Sequence, residues 1–235
     1  MGGPPSSCAA RASRTPAIAP HGTVKPEGAL VYTADTVWAV TVAAWVKANR
    51  QDLDDIEALT ADIGEALRYG VLGGVERLLL DGAPADADGD AVPGILDNPF
   101  APTVPATTLD GVVGEMKAQL IATGLVPNFA AANAVTIEAE ESRTGNDGHP
   151  IGAISEDGRI RRLPLVSTEA LADGQVVVGD SRVGARLGVR QGVGLVAGQE
   201  SDDLVRNRVT ILVEGRWTPL VSVPSAFAVA DLPAA

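Results

Sequence analysis

The chain has 235 residues, and 30 acidic against 18 basic side chains give it a formal net charge of −12. This acidic balance argues against a nucleic-acid groove or a basic membrane-surface patch, because phosphate binding needs clustered lysine and arginine. Cys8 is the single cysteine, which excludes an internal disulfide and a cysteine-based zinc site. The sequence contains no apolar run of about 18 residues, so we expect no membrane span.

The N-terminal part of the chain predicts a flexible arm followed by a hairpin. Residues 1–24 are rich in proline and glycine and lack apolar periodicity, which is typical of an arm without regular structure. Two β-prone runs follow at 29–33 and 37–47, and their spacing predicts a β-hairpin. Both faces of the second run are mostly apolar, whereas an isolated two-stranded hairpin is marginal in water. We therefore expect another domain or another subunit to cover it.

The strongest helix pattern of the chain comes next. Asp54 followed by Glu57 resembles a capping box, and apolar residues then recur at steps of three and four. These features predict a helix over 55–81 that ends at Gly82. Glycine is unfavourable inside helices, so the four in this segment suggest close approach of other backbone, or a break near the last two. They are Gly64, Gly70, Gly73 and Gly74.

The remaining elements place the chain in the α+β class. A second helix is predicted over 109–123, with one apolar side formed by Val112 or Val113, Met116 and Leu120. A third helix is predicted from an Asn128 cap to about Glu141. From residue 163 onward the pattern favours strands, and the alternation of apolar and polar residues in 209–217 is typical of a half-buried strand.

No catalytic or metal site emerges from the residues themselves. Asp86, Asp88 and Asp90 resemble the start of a calcium loop, but Ala91 stands where the loop needs glycine, which favours an acidic turn. His149 lies near Asp147 without a serine or cysteine in a nucleophile motif, so we expect an exposed loop histidine. We predict no cofactor and no metal.

Several motifs occur in the order found in one structural family. They are Lys25-Pro26-Glu27, Trp45-Val46, Tyr69-Gly70, Leu163-Pro164-Leu165-Val166 and Asp202-Asp203-Leu204-Val205-Arg206-Asn207. With these motifs the chain resembles the major capsid proteins of tailed bacteriophages, the family with the Hong Kong phage capsid fold. The resemblance extends over about residues 25–232, and the order of the motifs makes it specific.

The resemblance implies an architecture. Residues 25–51 would form an extended loop, a hairpin that reaches over a neighbouring subunit. Residues 52–99 and 204–222 would form a peripheral domain that contains a long spine helix. Residues 100–203 and 223–235 would form an axial domain that packs around five-fold or six-fold axes.

The resemblance also implies a function. The expected protein is a structural one rather than an enzyme, and it assembles with itself through pentamers and hexamers into an icosahedral shell. This shell of a tailed phage or prophage would enclose double-stranded DNA without sequence-specific binding, and it would assemble in the host cytoplasm to become part of the virion. Portal and scaffolding or decoration proteins are the expected partners, and no membrane is involved. Only 24 residues precede Lys25, so scaffolding is expected to be a separate protein or not needed.

Two alternatives remain open at this point. An encapsulin-type nanocompartment shares the fold but packages a cargo protein instead of DNA. The other alternative is a small enzyme or binding domain with an unrecognised site. The absence of a recognisable set of catalytic residues argues against this alternative.

One departure from the family pattern concerns a covalent crosslink. In the type member of the family, an extended-loop lysine forms an isopeptide bond with an asparagine of another subunit, helped by a glutamate. Asn207 and Glu214 match the asparagine and the glutamate, but Ala34 occupies the lysine position. We therefore expect a shell without covalent crosslinks, in which Asn207 and Glu214 serve as ordinary polar residues. The extended-loop residues expected to face another subunit are Tyr32, Ala34, Asp35, Trp38 and Trp45.

Overall fold

The computed structural model describes residues 6–12, 21, 30–55, 59–85, 91–97, 99–100, 102, 106–145, 147, 149 and 151–232, with the backbone alone at 6–12 and 30–36. The strands are β1 (Ser6–Ala12), β2 (Leu30–Thr36), β3 (Val40–Asn49), β4 (Phe129–Ala132), β5 (Ile154–Ser155), β6 (Arg159–Ile160), β7 (Leu163–Ser167), β8 (Gln175–Gly179), β9 (Ala185–Gly198), β10 (Arg208–Val221) and β11 (Phe227–Asp231). The helices are α1 (Arg50–Asp55), α2 (Leu59–Asp81), α3 (Leu109–Ala122), α4 (Ala134–Glu141) and α5 (Ser181–Gly184).

The strands form three sheets, which confirms the α+β class. The largest has the order β11-β8-β4-β7-β6-β5, the second has the order β3-β10-β9, and the third contains β1 and β2. Neighbouring strands run antiparallel except for β4 and β7, which are parallel.

The six-stranded sheet forms the larger part of the core. On one face, Val113, Met116 and Leu120 of α3 are fully buried against β8 and β4, as the predicted apolar side of this helix requires. On the opposite face, Phe227 packs with Val177 and with residues from the C-terminal end of α2. Both faces of this sheet are therefore covered within one chain.

The three-stranded sheet packs against α2. Val71 and Val75 of this helix are buried against Val213 and Trp217 of β10, which are also buried. The predicted alternation along 209–217 is confirmed, because Val213 and Trp217 face the helix, Ile211 is buried and Arg216 is exposed. None of the helices in the described part of the chain is long and apolar enough to cross a membrane.

The glycines of α2 serve close packing rather than a break. A Cβ atom on Gly74 would lie 2.6 Å from Cγ1 of Val42 in β3, and one on Gly64 would lie 2.8 Å from Cδ1 of Leu195 in β9. The helix continues through Gly73 without interruption and ends, as predicted, before Gly82, whose φ of 74° suits a glycine C′ position. The sheet thus approaches Gly64 and Gly74 closely, but through side chains and not through backbone as predicted.

The hairpin predicted between 29–33 and 37–47 is wrong in its pairing. Strand β2 pairs with β1, which lies inside the segment expected to lack regular structure, and β3 pairs with β10. Strand β3 finds a partner far along the chain because β10 presents a complementary apolar face above α2. The predicted Asp54 cap is also wrong, since Asp54 lies within α1.

The third predicted helix begins later than Asn128. The short strand β4 intervenes, and Asn133 is the residue that caps α4, accepting a hydrogen bond from Val135 N at 3.0 Å. Asn128 instead bonds the α5 turn, where its Oδ1 accepts from Ser181 N at 3.0 Å. The predicted end of the helix at Glu141 is confirmed.

Candidate assembly interface

Three of the predicted interface residues lie in β2. In the register with β1, Tyr32 is opposite Ala10, Ala34 is opposite Cys8, and Asp35 is opposite Ser7. The backbone placement puts all three in the two-stranded sheet, away from β3. Their side chains lie outside the described part of the chain.

The other two candidates are exposed tryptophans. Trp38 lies in the connection between β2 and β3 with 45% of its surface exposed, and Trp45 in β3 is 59% exposed. Apolar side chains of this size are normally buried, so an exposed one is informative when it belongs to a larger patch.

Trp45 is part of an apolar row across the outer face of the three-stranded sheet. In the strand register, Leu212 of β10 is directly opposite both Trp45 of β3 and Val196 of β9. These residues point away from α2, because the neighbouring Val213 points toward it. Leu212 is half-buried and Val196 is 56% exposed, so the row faces solvent in a single subunit. We call these three residues the outer row.

The sequence pattern alone missed Leu212 and Val196 as interface candidates. Leu212 lies on the otherwise polar face of β10, where one apolar residue gives no clear signal. Val196 lies in a run of consecutive apolar residues, in which the exposed face cannot be told from the buried one without the position of α2. The register with Trp45 is the signal that reveals them, and that register is a tertiary feature.

The outer row is bordered by a buried ion pair that joins β3 to the turn before β10. Lys47 Nζ lies 3.1 Å from Oδ1 of Asp203, whose side chain is fully buried. The other carboxylate oxygen of Asp203 accepts hydrogen bonds from Thr210 Oγ1 at 2.8 Å and from Glu200 N at 3.1 Å. Lys47 Nζ also lies 5.9 Å from the ring centroid of Trp45, within range of a cation–π contact.

These contacts set the ionisation of Asp203. Burial alone raises its pKa, but the hydrogen bonds from Thr210, from the Glu200 backbone and from Lys47 outweigh burial and lower the pKa to about 2. The carboxylate therefore stays charged at neutral pH and holds the start of β10 against β3.

The two polar positions matched to the crosslink lie in different surroundings. Asn207 is exposed, has a φ of 53°, and its carbonyl accepts a hydrogen bond from Arg50 N at 2.9 Å. Glu214 is half-buried in the middle of β10, opposite Ala43 and Gly194 and next to the outer row. Seven residues of extended chain separate them by about 23 Å, so one subunit does not bring them together.

The remaining candidates are peripheral to this surface. His149 is an exposed loop residue whose backbone N–H donates to Asp147 Oδ1 at 3.2 Å, as expected for a loop histidine. Asp86, Asp88 and Asp90 lie outside the described residues. No group of three metal-ligating side chains occurs within the described part of the chain.

Comparison with known proteins points to one family. No protein-family model matches the chain. Its sequence is 30% identical to the major capsid protein of Enterobacteria phage HK97 in an alignment of 213 residues that covers 82% of this chain and 51% of that protein.

The fold comparison agrees with the sequence comparison. A solved chain of Mycobacterium phage Adephagia is similar with a TM-score of 0.74 at 14% identity, over 100% of this chain and 87% of that one. A chain of Gordonia phage Cozz gives 0.73 at 16% identity, over 97% and 81%. The capsid of an empty GTA particle computed with C5 symmetry gives 0.70 at 16% identity, over 97% and 85%.

The chain has the fold of these phage and GTA capsid chains. It spans about half the length of the curated relative that it matches. Within this fold the described residues supply two sheets of different character, one enclosed and one with the exposed outer row. The tailed-phage capsid fold expected from the motif order is thereby confirmed.

Proposed function

We propose that the chain is the major capsid protein of a tailed phage or prophage and that its copies assemble into an icosahedral shell around double-stranded DNA. The observation that carries this proposal is the agreement between the 30% identity to a major capsid protein and a TM-score of 0.70 to the capsid of a GTA particle. The role is structural, and the site of action is the virion after assembly in the host cytoplasm.

The proposed domain division follows the two larger sheets. We assign α2 and β10 to the peripheral domain, at 52–99 and 204–222, and the six-stranded sheet to the axial domain, at 100–203 and 223–235. Strand β3 of the three-stranded sheet falls in the extended-loop range. Strand β9 lies in the axial range by chain order, although it pairs with β10 of the peripheral range. The boundary there therefore follows chain order and not packing. Residues 25–51 are assigned to the extended loop.

The exposed apolar side chains support association with further copies. The outer row is one such surface. A second is the turn before β10, where Leu204 and Val205 are 72% and 88% exposed. Closed symmetric assemblies repeat each contact many times, so contacts of modest strength give a cooperative shell.

The charge of the chain supports enclosure of DNA without tight binding. A formal net charge of −12 repels the phosphate backbone, so packaged DNA is not held at the inner surface. Portal and scaffolding or decoration proteins are the further partners that such a shell needs.

Electron microscopy of the purified recombinant protein tests the proposal. We expect uniform hollow shells, whereas a protein that stays monomeric at high concentration would contradict the assembly role.

Trp45→Ser removes the largest side chain of the outer row, and we expect it to raise the subunit concentration at which shells form. Ile121→Ser is the matched control, because Ile121 is 51% exposed on α3, outside the outer row.

We also propose that the shell holds together without covalent crosslinks, because Ala34 stands in the lysine position of the family's crosslink. A denaturing gel of assembled particles is expected to show one band at the mass of the single chain. A ladder of covalent multimers would show that this part of the proposal is wrong while leaving the capsid role intact.

A further inference from the structure

The turn between β6 and β7 carries an unusual pair of residues. Ile160 is paired with Leu163, so Arg161 and Arg162 form a two-residue hairpin loop. Their φ angles are 50° and 68°. Positive φ at both central positions defines a type I′ turn, in which Asn-Gly is the usual sequence.

Arginine is an unfavourable residue at both positions of this turn. A side chain with a Cβ atom is disfavoured at positive φ, and glycine is the residue that normally relieves the conflict. The preceding turn of the same meander follows the rule, because Gly158 occupies its positive-φ position with a φ of 68°. Sites at which a chain breaks a local rule are those at which a function is expected to compensate.

The neighbourhood holds the turn in place and neutralises most of its charge. The Arg161 guanidinium donates to both carboxylate oxygens of Asp110, with Nε to Oδ1 at 2.6 Å, and Lys117 Nζ donates to the Arg161 carbonyl at 2.6 Å. Arg159 pairs with Asp157 at 3.0 Å. The hydrogen bond from Ser155 Oγ holds the pKa of Asp157 below its usual value, so this partner stays charged.

Arg162 is the exception in this group. It is exposed and forms no ion pair with any residue in the described ranges. The turn therefore presents one unpaired guanidinium from a backbone that the Asp110 and Lys117 contacts of Arg161 support. An exposed guanidinium is suited to bind a carboxylate with two parallel hydrogen bonds.

We propose that Arg162 is an assembly contact that binds a carboxylate of a second copy of this chain. The chain has an excess of acidic side chains, and the described ranges leave many exposed ones without an ion pair, so a second copy supplies carboxylates in abundance. Those of α1 and the first half of α2 are Asp52, Asp54, Asp55, Asp62 and Glu65. The inference rests on the proposed function, because it needs copies that meet.

Arg162→Gly separates a folding role from an assembly role. Glycine suits a φ of 68° better than arginine does, so the thermal unfolding midpoint of the unassembled subunit is expected to stay equal or rise. Shell formation in DNA-free protein, followed by light scattering, is expected to need a roughly five- to tenfold higher subunit concentration, because the lost contact is repeated in every copy. If Arg162→Gly forms shells at the same subunit concentration as the wild type, the inference is wrong. That result is also the one expected if the turn binds DNA and not a second copy.

Two further variants complete the experiment. Arg190→Gln removes one exposed positive charge from β9, outside the β6–β7 turn, and is expected to leave assembly within about twofold of the wild type. Arg162→Lys keeps the charge, and carbodiimide treatment is expected to link the new amine to an Asp or Glu of another copy in particles but not in subunits. If no wild-type particles form, the proposed function fails; if they form and Arg162→Gly assembles equally well, only this inference fails.

Discussion

The two larger sheets differ in how many of their faces one chain covers. The six-stranded sheet has α3 on one face and the Phe227 cluster on the other. The three-stranded sheet has α2 on one face only, and its other face exposes Trp45 and Val196. The first sheet is largely enclosed within a subunit, with Val166 of β7 exposed, whereas the second leaves an apolar row of the kind that marks a protein–protein interface.

The sequence of each sheet reflects this difference. Strand β8 carries three consecutive valines, Val176 to Val178, all fully buried, as a strand covered on both faces requires. Strand β10 alternates, with Ile211, Val213 and Trp217 buried and Arg216 exposed. The comparison predicts that in this fold stability is concentrated in the six-stranded sheet, and that the three-stranded sheet offers a surface for association.

Removing the central aromatic of the enclosed sheet is expected to have the largest effect. Phe227 is fully buried and packs edge-to-face with Phe129 at a ring distance of 6.3 Å. We expect Phe227→Ala to lower the free energy of unfolding by about 3–5 kcal/mol, because it deletes buried apolar surface and leaves a cavity. Urea unfolding of the unassembled subunit measures this, and a loss below about 1 kcal/mol would contradict the enclosed character of this sheet.

The same substitution in each sheet tests the contrast directly. Val177 is fully buried in β8 and Val196 is exposed in β9. We expect Val177→Thr to lower the free energy of unfolding by about 1–3 kcal/mol, because the new hydroxyl is buried without a partner. Val196→Thr is expected to change it by less than about 0.5 kcal/mol. Equal losses in the two variants would remove the distinction between the sheets.

Gly73 and Gly74 of α2 test the difference between the side of the helix that the sheet covers and the side that it leaves uncovered. Gly74 faces Val42 of β3, whereas a Cβ atom on Gly73 would meet nothing within 4 Å. In thermal unfolding of the subunit we expect Gly74→Ala to be destabilising by about 1–3 kcal/mol through overpacking. Gly73→Ala is expected to be stabilising by about 0.5–1 kcal/mol through helix propensity. A stabilising Gly74→Ala would mean that the sheet does not approach the helix so closely.

The last prediction is a pH dependence in acid, and it concerns the ion pair beside the outer row. Asp203 has a folded pKa of about 2 against an ordinary value of 3.8, so its contribution to stability is complete above about pH 4 and is lost as the pH falls toward 2. We expect the stability difference between the wild type and Asp203→Asn to shrink over this range in acid unfolding curves. A difference that stays constant from pH 5 to pH 2 would exclude this role of the carboxylate.

Local patterns predicted those parts of the fold in which neighbouring residues decide the structure. The apolar side of α3, the end of α2 at Gly82 and the alternation along β10 all follow from spacing within one element. The motif order also predicted the capsid fold. The exposure of Trp38 and Trp45 agrees with an interface role, which the assembly experiments test.

These local patterns could not predict which strands pair with each other. Lys47 of β3 lies opposite Thr210 of β10, 163 residues later, and no local signal encodes such a partner. The short strand β4 reads Phe-Ala-Ala-Ala, a sequence equally compatible with a helix, so the position of the cap at Asn133 instead of Asn128 depended on its pairing with β7 and β8.

The sequence by itself determined the class, the main helices, the half-buried strand and the acidic composition, because each depends on residue type and short-range periodicity. Only the tertiary structure decided which apolar faces are covered, and therefore that Trp45, Leu212 and Val196 form one surface. It also decided that Arg161 and Arg162 occupy a turn suited to Asn-Gly. The physical reason is that burial and register are properties of the elements that meet, whereas a sequence pattern describes one element at a time.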